Sequence, residues 1–375
     1  MPRKAASLRT AAEGGVVDKR GRRIVNLALQ GGGAHGAFAW GILDGLLEDD
    51  RLDFEAITAT SAGSMNAVIV AQGLREGGPP RARELLDGFW GRIADIGSMY
   101  SPIRPFMWEL PFGREWEVDG TFSYRIFEAM TRMFSPYQLN PRNFHPLRDL
   151  LEETVNFDLL RDDKGPKVFL SATNVNTGRV RVFRNEELTL DVVAASACLP
   201  FLFHAVEIDG QHYWDGGYLG NPALFPLNRH TVTPDLIIVH LNPLTRERLP
   251  RTPHEIFDRI NEVSFNSSLL AELRHIAHIQ RMLDLGWIKE EAHVKRMYIH
   301  AIRADDALSE YSIGSKLSPD RRFLLRLREQ GRACAEAWLA ENFDALGERS
   351  SVDLHTTFLD PHQRGWWDDL LDDRA

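Results

Sequence analysis

The apolar positions of this chain fall into a strand-sized run, then a helix-sized one, and the pair then repeats. Residues 24–29 form a short run rich in valine, isoleucine and leucine, closed by a glycine cluster, which predicts a buried strand. Residues 37–47 follow with Phe38, Trp40, Ile42, Leu43, Leu46 and Leu47 at helical spacing. Residues 54–60 read as a second strand, and 64–74 as a helix so apolar that burial on all sides is expected. Strand–helix–strand–helix order implies parallel strands joined by crossovers.

Gly77-Gly78-Pro79-Pro80 breaks this alternation. Beyond it, helices are expected over 82–96, 122–134 and 146–155, with 97–120 irregular and crowded with proline and aromatic side chains. That crowded stretch, from Tyr100 to Trp116, fits either a packed loop or a lipid-facing wall over a cleft. Strands return over 167–173 and 179–183 around the turn Asn174-Val175-Asn176-Thr177-Gly178. A small-residue helix is expected over 190–197, with strands over 201–208, closing through Asp209-Gly210, and over 235–241. After Pro250 the pattern is mainly helical. One long or twice-broken amphipathic helix covers 254–285, and a strand covers 295–302. A last helix is marked by Ser318 as N-cap and Pro319 at the first helical position. The tail, with Trp366, Trp367, Leu370 and Leu371 among aspartates, fits a docked or a frayed end.

Composition narrows the class. A chain of 375 residues, 43% hydrophobic and 26% charged, carries enough apolar material for one large core or two smaller ones. Its net charge of -9 argues against nucleic acid as a partner. Two cysteines, Cys198 and Cys334, cannot make a disulfide framework, which fits a reducing compartment. Residues 1–23 hold seven basic side chains against Glu13 and Asp18, without the apolar stretch of a secretory leader. A solvated, unordered arm and a cytoplasmic location are the expectations. No apolar run reaches the length of a membrane span.

Two glycine-bearing turns carry the candidate chemistry. Residues 31–36, Gly31-Gly32-Gly33-Ala34-His35-Gly36, match Gly-x-Gly-x-x-Gly between a strand and a helix, and Asp49, Asp50 or Asp53 could serve a dinucleotide ribose. Alone that motif is weak, because glycine-rich strand–helix turns serve many anions. A second turn, Ala59-Thr60-Ser61-Ala62-Gly63, places a serine between a strand and a helix in the pattern of a nucleophile elbow, with Ala59 where glycine is usual. One helix and one strand separate the turns, so both can lie at one sheet edge. A helix N-terminus beside Ser61 would favour an alkoxide or oxyanion there.

A serine nucleophile needs a base. His204, His212, His230, His240, His275 and His278 have no recognisable context, and His275 with His278 lacks the companions of a metal site. Asp215 has one: Tyr213-Trp214-Asp215-Gly216-Gly217-Tyr218 holds a carboxylate in a tight turn after an aromatic strand. An apolar, partly dehydrated setting would raise its pKa towards neutrality. Asp-Gly is also a common hairpin turn. Cys198, in a run of small residues, has no basic neighbour to activate it.

These three elements, in this order, resemble the patatin-like phospholipase family, over roughly residues 24 to 245. The resemblance implies an α/β fold related to the α/β-hydrolases, with three layers and a mostly parallel sheet sandwiched by helices. It implies a Ser–Asp dyad without histidine: Ser61 attacks an ester carbonyl and Asp215, in the turn with Gly216 and Gly217, takes its proton. Backbone N–H groups around Gly32, Gly33 and Ala34, in the loop from Gly31 to Gly36, would hold the oxyanion, and Gly63 would close the elbow. Two positions depart from the family pattern. His35 stands where the loop usually has arginine or lysine, and Ala59 where the elbow has glycine. If His35 supplies the missing positive charge, activity should weaken above its titration range.

The expected organisation is a basic arm (1–23), a catalytic domain (24–245) and a mainly helical C-terminal extension (246–375). That extension could cover the cleft, mediate self-association or complete the core. The expected activity is hydrolysis of lipid acyl esters, of the phospholipase A or lipid acyl hydrolase type. A simple esterase, a thioesterase or an intracellular polyester depolymerase would use the same site. A dinucleotide-binding oxidoreductase and an inactive lipid-binding scaffold are the readings from other classes. Neither cofactor nor metal is expected. The partner is a lipid or other acyl ester, with a peripheral contact at a membrane or lipid surface compatible, and oligomeric state is not readable.

Overall fold

The computed structural model describes residues 9–10, 15–100, 121–162, 164–246, 248–290, 294–309, 311 and 314–359. The proline- and aromatic-rich stretch 101–120 and the tryptophan-bearing tail therefore lie outside the described residues.

Among the described residues ten strands form one sheet: β1 Arg9–Thr10, β2 Val16–Val17, β3 Arg23–Leu29, β4 Leu52–Ala59, β5 Lys167–Asn174, β6 Arg179–Arg184, β7 Val206–Ile208, β8 Gln211–Asp215, β9 Asp235–His240 and β10 Tyr298–Arg303. Its centre is parallel, in the order β10-β9-β3-β4-β5. The antiparallel strands β6, β8 and β7 extend it beyond β5. Residue alternation along the central strands divides the core in two. Val25, Leu27, Leu29 and Ile57 face one cluster, while Ala28, Ala56, Leu236 and Ile238 face another. With both faces covered, β9 is buried at all six positions, as a parallel strand inside three layers must be.

Helix α1 (Gly36–Asp49) links β3 to β4, and α2 (Ala62–Gly77) and α3 (Pro79–Tyr100) follow. The helix of the second turn is buried from Ala62 through Gly73, as its apolar sequence implies. Residues 97–100, expected to be irregular, continue α3. The expected strand over 201–208 shortens to β7. Leu202 and Phe203 donate their amides to Leu199 O, at 3.0 Å each, so the chain turns there before it can pair.

The C-terminal region is mainly helical, with one unbroken helix, Pro253–Asp284, and another, Arg321–Asn342. It does not stand apart from the rest. Strand β10 pairs in parallel with β9, and Phe323, Leu324, Leu327 and Leu339 belong to the larger core cluster. The helix Arg321–Asn342 starts two residues later than the proline pattern suggested. Asp320 is its N-cap, accepting Phe323 N–H at 2.9 Å, while Ser318 N–H closes the preceding turn onto Ser315 O at 3.0 Å. Part of the expected unordered arm is likewise paired. Val16–Val17 forms a ribbon with Arg9–Thr10 and meets β3 at Arg23, and Asp18 accepts the amides of Arg20 and Arg22 in the turn between.

Helix Arg321–Asn342 crosses α1 almost backbone to backbone. A methyl on Gly41 would lie 2.0 Å from Arg328 O, and one on Gly331 2.1 Å from Phe38 O. An ionic clamp fixes the crossing. The Asp44 side chain, 2% exposed, accepts from Arg83 at 2.6 Å, from Arg328 at 3.1 Å and from Arg332. Burial alone would raise its pKa, but the hydrogen bonds from Arg83 and Arg332 hold it below the ordinary value. The arginines are partly solvated, which moderates the cost of losing their partner. Asp44→Ala is expected to destabilise the chain by about 3 kcal/mol, read as a lower urea midpoint. A loss under about 1 kcal/mol would show that the clamp is replaceable by water.

Candidate active site

Register brings the two glycine-bearing turns together. Leu29 at the end of β3 pairs with Ala59 at the end of β4 on one side and with Val239 of β9 on the other, so both turns leave the same sheet edge. Thr60 and Ser61 join β4 to α2, and Ser61 takes φ 56 and ψ -125, a conformation that L side chains rarely adopt. The bend is held from several directions. Thr60 N–H donates to Leu29 O at 3.2 Å, Thr60 Oγ1 to Gly220 O at 2.6 Å, and Ser61 N–H to Ser196 Oγ at 3.1 Å. Ser196 Oγ in turn donates to Ser171 O at 2.7 Å.

The elbow's unequal glycine usage has a steric cause. Ala59 ends a strand in ordinary extended backbone and its methyl is fully buried in the core. At Gly63 a methyl would lie 2.4 Å from Leu29 O and 2.8 Å from Gln30 O, both backbone atoms that cannot swing aside. Gly63→Ala is therefore expected to cost about 3 kcal/mol or more and most of the activity, whereas Ala59→Gly should cost about 1 kcal/mol. Comparable unfolding midpoints for the two variants would contradict this account of the turn.

The first glycine loop lies against Ser61. A methyl on Gly31 would sit 2.7 Å from Ser61 Cβ. The loop is tied down from behind, since Gly31 N–H donates to Asn221 Oδ1 at 2.7 Å and Gly31 O accepts from Asn242 Nδ2 at 2.9 Å. Gln30 completes the anchor, with Nε2 donating to Asn221 O and Asn266 Oδ1 and Oε1 accepting Leu241 N–H at 2.9 Å. After this anchor the amides of Gly32, Gly33 and Ala34 meet no acceptor among the described residues. Gly33 takes φ 58, and Gly36 begins α1 beside Ala62.

Asp215 ends β8 opposite Ala172 and is fully buried. Its Oδ1 accepts Gly217 N–H at 2.7 Å, and Gly216 packs between Ser171 O and Thr60. Its Oδ2 is also buried and has no hydrogen-bond partner among the described residues. Burial raises the carboxyl pKa to about 7, against the lowering effects of the Gly217 amide and the neighbouring Ser61 side chain. Ser61 is thus close enough to act on the carboxyl without closing a well-formed bond to Oδ2. A buried carboxylate with one open oxygen beside a strained serine can move a proton near neutral pH.

His35 is not a source of charge. It is 3% exposed, its Nε2 lies 2.7 Å from Ser315 Oγ, and Tyr311 and Phe323 flank its ring. Burial, with the charges of Lys316 and Arg246 nearby, holds its pKa well below the ordinary value, so the ring is neutral near pH 7. The expected alkaline loss of activity through His35 therefore has no basis. The dinucleotide reading also fails on placement. Asp49 ends α1, Asp50 is its C-cap and Asp53 is the second residue of β4, all at the sheet edge opposite the glycine loop. Burial pushes the Cys198 thiol up to about 12, which leaves it unreactive. Among the described residues no group of three or more His, Cys, Asp or Glu side chains could hold a metal ion.

Ser61, Gly32 and Gly33 open into a cleft of about 380 Å³ walled by Phe127, Phe201, Leu202, Phe257 and Phe265, with Lys316 and Leu317 beside the loop. A larger groove of about 1050 Å³, lined by Arg22, Asp53, Arg83 and Lys167, lies at the other sheet edge, away from both turns. Sequence reasoning missed Ser196, Asn221, Asn242 and Lys316. Ser196 looked like small-residue packing, and the others have no local pattern that marks a role.

Residues 27–227 match the family model described as Patatin-like phospholipase. Among solved structures, VipD from Legionella pneumophila is similar at 13% identity and a TM-score of 0.43, covering 96% of this chain and 78% of that one. The heterodimeric ExoU–SpcU complex of the type III secretion system of Pseudomonas aeruginosa is similar at 14% identity and a TM-score of 0.27, covering 91% and 68%. No curated protein matches at the same stringency.

Proposed function

The chain belongs to the patatin-like phospholipase family, and on that premise we propose that it hydrolyses lipid acyl esters through a Ser61–Asp215 dyad. Asp215 accepts the Ser61 hydroxyl proton as Oγ bonds to the ester carbonyl carbon. The carbonyl oxygen takes up the negative charge before the amides of Gly32, Gly33 and Ala34, at the N-terminal end of α1. Collapse expels the alcohol, which leaves with the proton from Asp215. Water then attacks the acyl-serine, giving its proton to Asp215, and the fatty acid departs as Ser61 is restored. The observation that best supports this reading is the buried, unpartnered Oδ2 of Asp215 beside the strained serine.

The apolar cleft supports an acyl chain as the group received. On the two helices that contribute to its wall, Phe122, Ile126 and Met130 of Phe122–Met133 and Ile260 and Val263 of Pro253–Asp284 are exposed. Exposed apolar side chains on these helices suit contact with a lipid surface, which would let an acyl chain pass into the cleft without crossing water. No helix among the described residues is long and apolar enough to cross a membrane. Hydrolysis measured across phospholipids, acylglycerols, acyl thioesters and short water-soluble esters tests the reading. Long-chain oxygen esters should be preferred over acetyl esters, and the reading fails if none of the acyl compounds is cleaved.

A further inference from the structure

The turn that carries Asp215 also carries a phenol. Asp215 caps the 3-10 turn Gly216–Tyr218, and the amides of Leu219 and Gly220 close it onto Gly216 O at 3.0 and 2.8 Å. Gly220 O accepts from Thr60 Oγ1 at 2.6 Å, so the far end of the turn is fastened to the residue before Ser61. Both ends of the segment that holds Tyr218 are thus tied to the dyad. A methyl on Gly217 would meet the Phe265 ring at 2.8 Å, and the Tyr218 ring stands edge-on to that same ring with 5.1 Å between centroids. Edge-to-face packing of this kind orients the phenol.

Tyr218 lines the same cleft as Ser61, Gly32 and Gly33. It is half-buried, and among the described residues its hydroxyl has no hydrogen-bond partner. Burial pushes its pKa up and the negative charge of Asp215 adds to the effect, so the phenol stays protonated and can donate. The other polar side chains of the cleft stand elsewhere. Lys316 donates to Asn242 Oδ1 at 2.8 Å beside the glycine loop, and Arg132 pairs with Glu128 on the helix Phe122–Met133. Asp258 and Glu262, on the helix Pro253–Asp284, are acceptors, and Arg259 holds Glu262 at 3.0 Å. Tyr218 is the donor that shares a turn with Asp215.

We propose that Tyr218 is a further catalytic residue, whose hydroxyl donates to the leaving oxygen of the ester as the tetrahedral intermediate collapses. This rests on the Ser61–Asp215 reading, which brings that oxygen to Asp215 for its proton. One lone pair of the oxygen takes the proton from Asp215, and another accepts from the phenol, which keeps its own. The carbon–oxygen bond breaks to give a neutral alcohol and the acyl-serine. The phenol matters most where the leaving oxygen is a strong base, as in an alkyl ester, because charge concentrated on one oxygen gains most from a donor. A nitrophenoxide spreads its charge and departs without that help.

Values of kcat/KM for the full chain on ethyl decanoate and 4-nitrophenyl decanoate test the proposal, since the two esters share an acyl chain and differ in the leaving oxygen. Tyr218→Phe keeps the ring against Phe265 and removes the hydroxyl. It should lower kcat/KM on ethyl decanoate by about tenfold to a hundredfold, the scale of one hydrogen bond to a charged group. On 4-nitrophenyl decanoate, where attack and not departure sets the rate, the loss should stay under about threefold. The rise of rate through about pH 7 should keep its place, because Asp215 remains the base. Equal losses on the two esters would make the phenol a support for the turn and overturn the proposal, as would full activity on ethyl decanoate or a displaced rise with pH. Ser61→Ala separates this from failure of the dyad. Hydrolysis of both esters retained by Ser61→Ala, or neither ester cleaved by the wild type, would defeat the dyad and the leaving-oxygen role with it. An inactive Ser61→Ala beside equal losses in Tyr218→Phe would defeat the role of Tyr218 alone.

Discussion

Ser61→Ala is expected to lower ester hydrolysis by about 10⁴-fold or more, with the fold intact and acyl-chain binding preserved. Removing the hydroxyl leaves no oxygen at the only place where the two glycine-bearing turns converge on the cleft. Any residual rate would come from the loop amides and the apolar walls acting on water. The elbow also predicts a gain in stability. Ser61 holds φ 56 because the strand, the glycine loop and α2 fix it there, and relief of strain at such sites commonly stabilises a protein. Ser61→Gly should therefore be inactive yet at least as stable as the wild type by urea unfolding. A Ser61→Ala enzyme with more than about a tenth of wild-type kcat on its best ester would show that another group makes the bond.

Asp215→Asn should lower kcat by about 10² to 10⁴-fold, the range for loss of a positioned general base. The wild-type rate should rise with pH through about 7, because Asp215 must be ionised to accept the serine proton and burial raises its pKa to about 7. Stability should run the opposite way. An unfolded aspartate titrates near 3.9, so between about 4 and 7 the folded chain holds a proton that the unfolded chain has released. The contribution of this group is fully present below about 4 and is lost as pH rises through 7. The gap corresponds to about 4 kcal/mol at most. Asparagine is shaped like the neutral acid and carries no titration. Asp215→Asn should thus be more stable than wild type at pH 8, by up to about 4 kcal/mol, with the difference shrinking towards pH 4. Urea unfolding at several pH values checks this, and a difference independent of pH would mean that Asp215 is not a strained, buried acid.

Much of the site was legible because each part imposes a local sequence requirement. A chain that must turn sharply against Leu29 O needs glycine at position 63, and amides that must stay open need a short glycine loop after a strand. The central strands β3, β4 and β9 were equally readable, since burial on both faces leaves only apolar runs. What could not be read depends on chain segments far apart. Asn221 and Asn242 anchor the loop from about 190 and 211 positions away, and neither lies in a motif of its own. Lys316 reaches the cleft from a single 3-10 turn. The charge state of His35 is set by burial against Ser315, which the loop sequence does not encode. Residues 201–205 look like a strand because they are apolar, yet Pro200 and two turn hydrogen bonds onto Leu199 claim them first. The C-terminal region read as an extension because helices dominate it, and a single strand, β10, is what joins it to the sheet.

The dyad itself is tested most directly by reaction with a fluorophosphonate, followed by intact mass and peptide mapping across pH. The account predicts one adduct, on Ser61, formed at a rate that rises through an ionisation near pH 7, absent in Ser61→Ala and slowed at least a hundredfold in Asp215→Asn. An adduct on another residue, or labelling of Asp215→Asn as fast as the wild type, would contradict it.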